Sequence, residues 1–369
     1  MDMRSGKAMR SGKAMRSGKA MRSGKAMSRD DYLTVPNAER AYHAYHTDCR
    51  QAYDGLRRVI VTLVRRTRPG TAACLGAGVL NDIPYGELIA QGVHIHLVDW
   101  LPGAIDSGIR QAIISRDEAG LPACAYCVLG NENAGNYCRQ YRCPTDPSAL
   151  VCERFRPAPG ESAACESFER GAWPNVLERD ITAGYATAFG HGIPAALHDA
   201  GTWKQAFRRA RNVARQARRS RAPLAIADGS VDLVTTSMVM SQFDWEPYKY
   251  FSRHAAAIVG RPGARQENAP QKAGESLRFE LALSQIERHC DEIARIMAPD
   301  GCCFAAFELF QFDKNIGRWF LVRETHKALG ILAERFSFDY EVLAPDEAVL
   351  RIKINGAPSV VQSFVLRHK

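Results

Sequence analysis

The stretch from Thr71 to Pro84 constrains this chain most, because a small, apolar run passes directly into a pair of glycines. Ala72, Ala73, Cys74 and Leu75 suit a strand covered on both faces, and Gly76-Ala77-Gly78 removes side chains where the backbone has to turn sharply. A ligand can approach such a bare backbone closely. About twenty residues on, a second short run from Val93 to Val98 ends at Asp99, and an acid at the tip of a second strand suits a ribose diol. Alone, a G-x-G pair is a weak signal.

Two later segments add context. Leu224 to Phe243 is an apolar lead-in, the sequence Asp228-Gly-Ser-Val-Asp232, a strand and a polar turn. Ile296 to Phe307 has a helix end, Pro299-Asp-Gly301 and another strand. In this order the three segments resemble the first, fourth and fifth strand regions of class I S-adenosylmethionine-dependent methyltransferases, over roughly residues 40–369. The resemblance implies an α/β, three-layer Rossmann-like methyltransferase fold, mostly parallel with an antiparallel C-terminal hairpin, and S-adenosylmethionine as cofactor. Carried onto this sequence, Leu75, Gly76, Ala77 and Gly78 would meet the methionine end, Asp99 and Trp100 the ribose, Asp180 and Ile181 the adenine, and Ser237 the strand-four side. The resemblance does not name the acceptor, for which a small molecule is expected. A rival within the same superfamily is transfer of the aminopropyl or aminocarboxypropyl group, since fold does not fix chemistry. A rival from another class is a non-catalytic, metal-stabilised nucleic-acid-binding protein.

The net charge of +9 suggests nucleic acid only until it is divided along the chain. Residues 1–29 hold nine Lys or Arg against one Asp, or +8, and the remaining 40 basic and 39 acidic residues leave +1. This tail repeats Met-Arg-Ser-Gly-Lys-Ala four times from Met3, and a chain so poor in apolar side chains is expected to be disordered. Either a repeat expansion or a tether to anionic surfaces accounts for it. No apolar run approaches 18 residues, so no membrane span is expected. The lack of a secretory apolar core in the tail points to a reducing, cytoplasmic setting.

Six cysteines, Cys124, Cys127, Cys138, Cys143, Cys152 and Cys165, crowd into 42 residues, within a segment (121–173) where neither helical nor strand periodicity holds. C-x2-C and C-x4-C pairs can aim thiolates at one ion, so a small metal-binding insertion is expected, with zinc ahead of an iron–sulfur cluster. Cys49, Cys74, Cys290, Cys302 and Cys303 read instead as small core residues.

The other elements follow from periodicity. Residues 36–67 read as a helix in which Tyr42 and His46 share a face, with His43 or His46 a candidate base. Helices are expected at 85–91, 101–119, 203–221, 279–297 and 320–336, and strands at 93–99, 175–180, 231–239, 302–309, 340–343, 348–354 and 360–366. Asn355-Gly356 suits a hairpin turn. Residues 183–222 form a basic insertion whose helix 203–221 offers arginines to solvent, phosphate or nucleic acid. The turn after the fourth strand, with Asp244, Trp245, Glu246 and Tyr248, is expected to shape the acceptor pocket, with Asp244 the candidate acceptor-side residue. Residues 260–276 read as a mobile loop.

Overall fold

The computed structural model describes residues 53–100, 175–240, 245–260, 268–354 and 357–369, together with short pieces at 104–105, 108–109, 137–138, 143–144 and 243. The N-terminal repeat, His46, Asp244 and most of the cysteine segment lie outside the described residues.

Chain order follows from alternating apolar periods. Helix α1 (Asp54–Thr67) buries Leu56, Val59, Ile60, Leu63 and Val64 along one stripe. Arg68 adopts a left-handed cap ahead of Pro69-Gly70, which stops the helix. Strand β1 (Thr71–Leu75), helix α2 (Tyr85–Ala90) and strand β2 (His94–Asp99) follow. After the cysteine segment come β3 (Asn175–Glu178), α3 (Tyr185–Leu197), α4 (Trp203–Ala217) and β4 (Val231–Ser237). The remainder is α5 (Trp245–Val259), α6 (Asn268–Ile296), β5 (Met297–Asp313), β6 (Arg318–Leu321), α7 (Arg323–Arg335), β7 (Phe336–Phe338), a short α8 (Pro345–Ala348), β8 (Val349–Ile354) and β9 (Ala357–His368).

The sheet runs in the order β8, β9, β5, β4, β1, β2, β3, with β6 paired to β5 and β7 to β9. Strands β3, β2, β1, β4 and β5 are mutually parallel, while β9 is antiparallel to β5 and β8 antiparallel to β9. This is the Rossmann-like arrangement expected from the sequence, with its antiparallel C-terminal hairpin. Alternate residues of each strand serve opposite faces. Ala72, Cys74, Ile95, Leu97, Cys302 and Phe304 join α1 in one core cluster, and Ala73, Leu75, Val98, Cys303 and Ala305 join α6 and α7 in the other. Cys74, Cys290, Cys302 and Cys303 are free and buried, and burial pushes the thiols of Cys74 and Cys290 up to about 12, so they pack as apolar residues.

A third cluster is almost entirely helical, uniting Tyr185, Phe189, Phe207, Phe251, Leu277 and Leu281 from α3, α4, α5 and the N-terminal half of α6. Its position follows from helix length. The 29 residues of α6 span about 43 Å, against about 23 Å for a seven-residue strand such as β4. Because α6 feeds β5 at the N-terminal edge of the parallel strands, its first half overhangs their C-terminal edge.

Several expectations change. Residues 268–276, expected as loop, belong to α6, because Pro270 falls in the first turn, where a missing N–H costs nothing, and Leu277 packs into the helical cluster. Residues 185–197, left without an element, form α3 despite Gly190, Gly192 and Pro194. Trp245, Glu246 and Tyr248 belong to α5 and not to a turn. Residues 318–321 pair as β6 before the expected helix, which begins at Arg323, and the strand placed at 340–343 is instead β7, at Phe336–Phe338. In each case edge pairing or tertiary burial outweighs local pattern.

The loop leaving β3 is a tight passage in the fold. Ala183 and Gly184 both have positive φ (49° and 87°), and a Cβ on Gly184 would lie 2.8 Å from that of Ala222. Gly184→Ala should therefore destabilise the protein by about 2–3 kcal/mol, combining left-handed strain with overpacking. Ala183→Gly should be nearly neutral, since relief of strain offsets the added chain entropy. Urea unfolding of the two variants checks the contrast.

Candidate functional site

Every cofactor-side residue expected from sequence falls on one edge of the sheet. Leu75 ends β1, Asp99 ends β2 with Trp100 next to it, Asp180 and Ile181 lie just past β3, and Ser237 ends β4. The parallel strands put all of them at the C-terminal edge, where β1 and β4 adjoin and the direction of chain winding reverses. Open α/β sheets bind ligands in that crevice.

The glycine turn is held from beneath by β2. Gly76 and Ala77 donate their N–H groups to the Val98 carbonyl at 2.8 and 2.9 Å, and Gly78 donates to Asp99 Oδ2 at 2.8 Å. Gly76 has φ of 76°, and a Cβ there would sit 2.3 Å from Val239 Cγ2, so no larger residue fits. Leu80 and Met238 are also left-handed, with φ of 61° and 60°. Three of the four such non-glycine residues among the described ones, Leu80, Ala183 and Met238, thus follow the C-terminal ends of β1, β3 and β4. Strain of this kind persists where the surrounding structure enforces a particular geometry.

Asp82 is a site residue that the sequence reading missed, although it lies in the same glycine-containing stretch. Burial pushes its carboxyl up to about 6, the negative charge of Asp99 adds to the shift, and Ser237 and the Arg57 guanidinium oppose it. Arg57 itself donates to the Asn81 carbonyl and to Asp54, tying α1 to the turn. Ser237 is 7% exposed and its hydroxyl makes no formed hydrogen bond, so it offsets only part of the shift. Two carboxyl groups and an unpaired buried hydroxyl therefore meet at the switch point, an arrangement that suits a cationic ligand.

Asp180 has a local task. Its Oδ1 accepts from the N–H (2.9 Å) and hydroxyl of Thr182, and its Oδ2 accepts from Thr187 N–H at 2.8 Å, which fixes the start of α3. The next carbonyl, that of Ile181, accepts from His289 Nδ1 at 3.0 Å. A carbonyl can only accept, so Nδ1 carries the proton, and Nε2 accepts from Thr236 Oγ1 at 2.8 Å. His289 is fully buried on α6, and desolvation pushes it down to about 4. It is neutral at physiological pH and pins the loop after β3 to β4. Sequence reading missed it because a histidine among the mixed polar and apolar residues of this helix carries no local sign of its partners.

The remaining expectations divide. His46 and Asp244 lie outside the described residues, as do Cys124, Cys127, Cys152 and Cys165. Cys138 and Cys143 are directly opposite in a two-residue antiparallel ladder, and no group of three or more metal-ligating side chains occurs among the described residues. Arg211 on α4, and Arg218 and Arg221 just past its end, meet Glu280, Glu287 and Asp291 at 3.6, 3.6 and 4.0 Å. Part of the basic face thus packs along α6 instead of facing solvent alone. A cleft of about 390 Å³ lined by Arg66, Glu341 and Arg367 lies at the opposite edge, where α1 runs into β1, away from the glycine turn.

No protein-family model matches the chain. No curated protein matches it either. Among solved structures it is similar to a protein of Pyrococcus horikoshii at 9% identity and a TM-score of 0.35, covering 92% of this chain and 96% of that one. It is also similar to a TehB-like SAM-dependent methyltransferase of Corynebacterium glutamicum, at 10% identity and a TM-score of 0.33 over 90% and 97% of the two chains. A SAM-dependent methyltransferase of Aquifex aeolicus gives 7% identity and a TM-score of 0.31 over 92% and 94%. The fold assignment rests on the strand order and direction described above.

His289 and Asp82 give the fold opposite responses to acid. As pH falls from 6.5 to about 4, the unfolded chain protonates its His289 while the folded protein does not, so up to about 3 kcal/mol of stability is lost across that window. Asp82 protonates first in the folded state, so its contribution rises as pH falls from about 6 to 3.8 and is lost again as pH rises. Asp82→Asn should therefore be more stable than wild type at pH 7.5, by about 1–2 kcal/mol, and should lose stability more steeply between pH 6 and 4. Denaturant unfolding across this range reads both effects.

Proposed function

We propose that the chain binds S-adenosylmethionine at the C-terminal edge between β1 and β4 and transfers its methyl group to a small-molecule acceptor. The observation that carries this reading is the glycine turn, bonded to β2 through Val98 and Asp99 and flanked by the second carboxyl of Asp82. The cofactor supplies an already activated methyl sulfonium, so the protein's work is positioning. Backbone of Leu75, Gly76, Ala77 and Gly78 receives the methionine end without side-chain obstruction. Asp99, oriented by the Gly78 N–H, accepts from the ribose hydroxyls, with Trp100 beside it. Asp180 and Ile181, fixed through Thr182, Thr187 and His289, border the adenine. Ser237 and Asp82 offer a hydroxyl and a carboxylate to the cationic end. His46 and Asp244 are the acceptor-side candidates, one able to take a proton and the other to orient the nucleophile.

Titration calorimetry with S-adenosylmethionine and S-adenosylhomocysteine tests the reading directly. Wild-type protein should bind both, and Asp99→Ala should weaken binding by about 1.5–3 kcal/mol, roughly 10- to 150-fold, through loss of charge-assisted hydrogen bonds. Equal affinity in the variant would remove Asp99 from the site, and no binding by wild type would overturn the cofactor assignment.

The cysteine segment is proposed as a zinc site drawn from Cys124, Cys127, Cys138, Cys143, Cys152 and Cys165. What supports it is the sequence spacing and the placement of Cys138 opposite Cys143 on adjacent strands. Purified protein should then be colourless and contain about one zinc ion per chain. A brown protein whose visible absorption bleaches on reduction would identify an iron–sulfur cluster.

A further inference from the structure

The β5–β6 hairpin has no part in the site described so far, and its side chains are placed unlike those of any other surface segment described. Beyond Leu309 the last residues of β5 leave the main sheet with only β6 and the start of β9 beside them: Phe310 pairs with Leu321, Gln311 with Phe320, Phe312 with Trp319, and Asp313 with Arg318. Directly opposed residues point to the same face of a ribbon. Phe310, Phe312, Trp319 and Leu321 therefore share one face and Phe320 takes the other, with the Phe312 and Trp319 rings edge to face at 5.4 Å. Trp319 is 51% exposed, Phe320 42%, and Ile316, at the tip, 64%.

The tip is built and not slack. Asn315 N–H donates to Asp313 Oδ1 at 2.8 Å, Gly317 N–H donates to the Asp313 carbonyl at 2.8 Å, and Gly317 supplies a φ of 64°. This closed turn presents Ile316 outward between Lys314 and Arg318. The hairpin leaves the C-terminal end of β5, the same edge that carries the glycine turn.

A protein partner docking on a flat patch would cover one face of a ribbon. Here apolar groups are exposed on both faces and at the tip, with cations on either side of the apex. That pattern fits a medium that surrounds the tip and is negatively charged at its boundary. Aromatic side chains favour the boundary between hydrocarbon and headgroups, and lysine and arginine are attracted to anionic lipid just outside it.

We propose that the β5–β6 hairpin is a membrane-docking element that inserts Ile316, Trp319 and Phe320 into the interface of an anionic bilayer, with Lys314 and Arg318 on the headgroups. Docking this way turns the C-terminal edge of the sheet, and the crevice it holds, toward the bilayer. The inference rests on the hairpin alone and does not depend on the methyl-transfer reading.

Vesicle co-sedimentation of the full chain, with phosphatidylcholine alone and with added phosphatidylserine, tests it. Wild type should bind the mixed vesicles, with a blue shift in tryptophan emission that survives moderate salt. The double variant Ile316→Glu/Trp319→Glu should lower the partition coefficient at least about tenfold at an unchanged melting temperature. Lys314→Glu/Arg318→Glu should reduce only the phosphatidylserine-dependent part. If the double variant melts early, Ile316→Ser, at the exposed tip, takes its place. Vesicle binding unchanged in the apolar variant would assign any membrane affinity to another segment and overturn the proposal, as would absence of binding by wild type. A concentration-dependent dimer in sedimentation velocity that disappears in the apolar variant would instead make the hairpin a contact between two copies of the chain.

Discussion

The buried polar stripe of α6 is the interaction on which the rest of the structure depends. Ser284, Gln285, Arg288, His289 and Glu292 are all buried on this helix, and between them they reach three segments, the connection from α4 to β4 and the loops after β3 and β4. Ser284 accepts from Arg218, Gln285 donates to the Phe243 carbonyl, Arg288 to that of Ser220 and His289 to that of Ile181, while Glu292 accepts from Leu224 N–H. Each such bond contributes only about 1 kcal/mol net, but leaving one buried partner unmade costs about 1–3 kcal/mol. The stripe therefore specifies position more than it adds stability. It locks the segments after β3 and β4, the two that border the crevice, onto one rigid rod.

The crevice itself is shaped by groups the fold holds at a cost. Left-handed Leu80, Ala183 and Met238 and the carboxyl of Asp82 are each less favourable than an ordinary residue would be in the same place. All sit at the C-terminal ends of parallel strands. Elsewhere the ionic groups follow ordinary surface logic, as in the pairing of arginines on and just past α4 with α6 carboxylates. Concentration of unfavourable terms on one edge fits a site prepared for a ligand of opposite charge.

Among the described residues, the helical cluster and the β5–β6 hairpin are additions to this framework, and both extend past the same edge. The cluster has its own apolar core of aromatic and aliphatic side chains around Phe251, whereas the hairpin leaves its apolar groups exposed. One wall beside the crevice is therefore self-contained and the other incomplete. That difference leaves the hairpin, and not the cluster, with apolar surface for a partner to cover.

The sequence by itself determined the central strands, the glycine turn, Asp99 and the antiparallel ending, because runs such as Ala72 to Leu75 and Cys302 to Phe307 are buried on both faces and permit no other element. It also placed Cys74 and Cys290 in the core. It did not determine α3, the first three turns of α6, β6 or β7, whose local patterns contain glycine, proline or mixed signals and which form only when another element covers or pairs them. Asp82 and His289 belong to this second group. An aspartate after a glycine turn and a histidine in a helix are ordinary in sequence, and only tertiary structure brought Ser237 and Asp99 to the first, and Thr236 and the Ile181 carbonyl to the second. Pairings across fifty or a hundred residues are decided by which strands become neighbours, and local periodicity does not encode that choice.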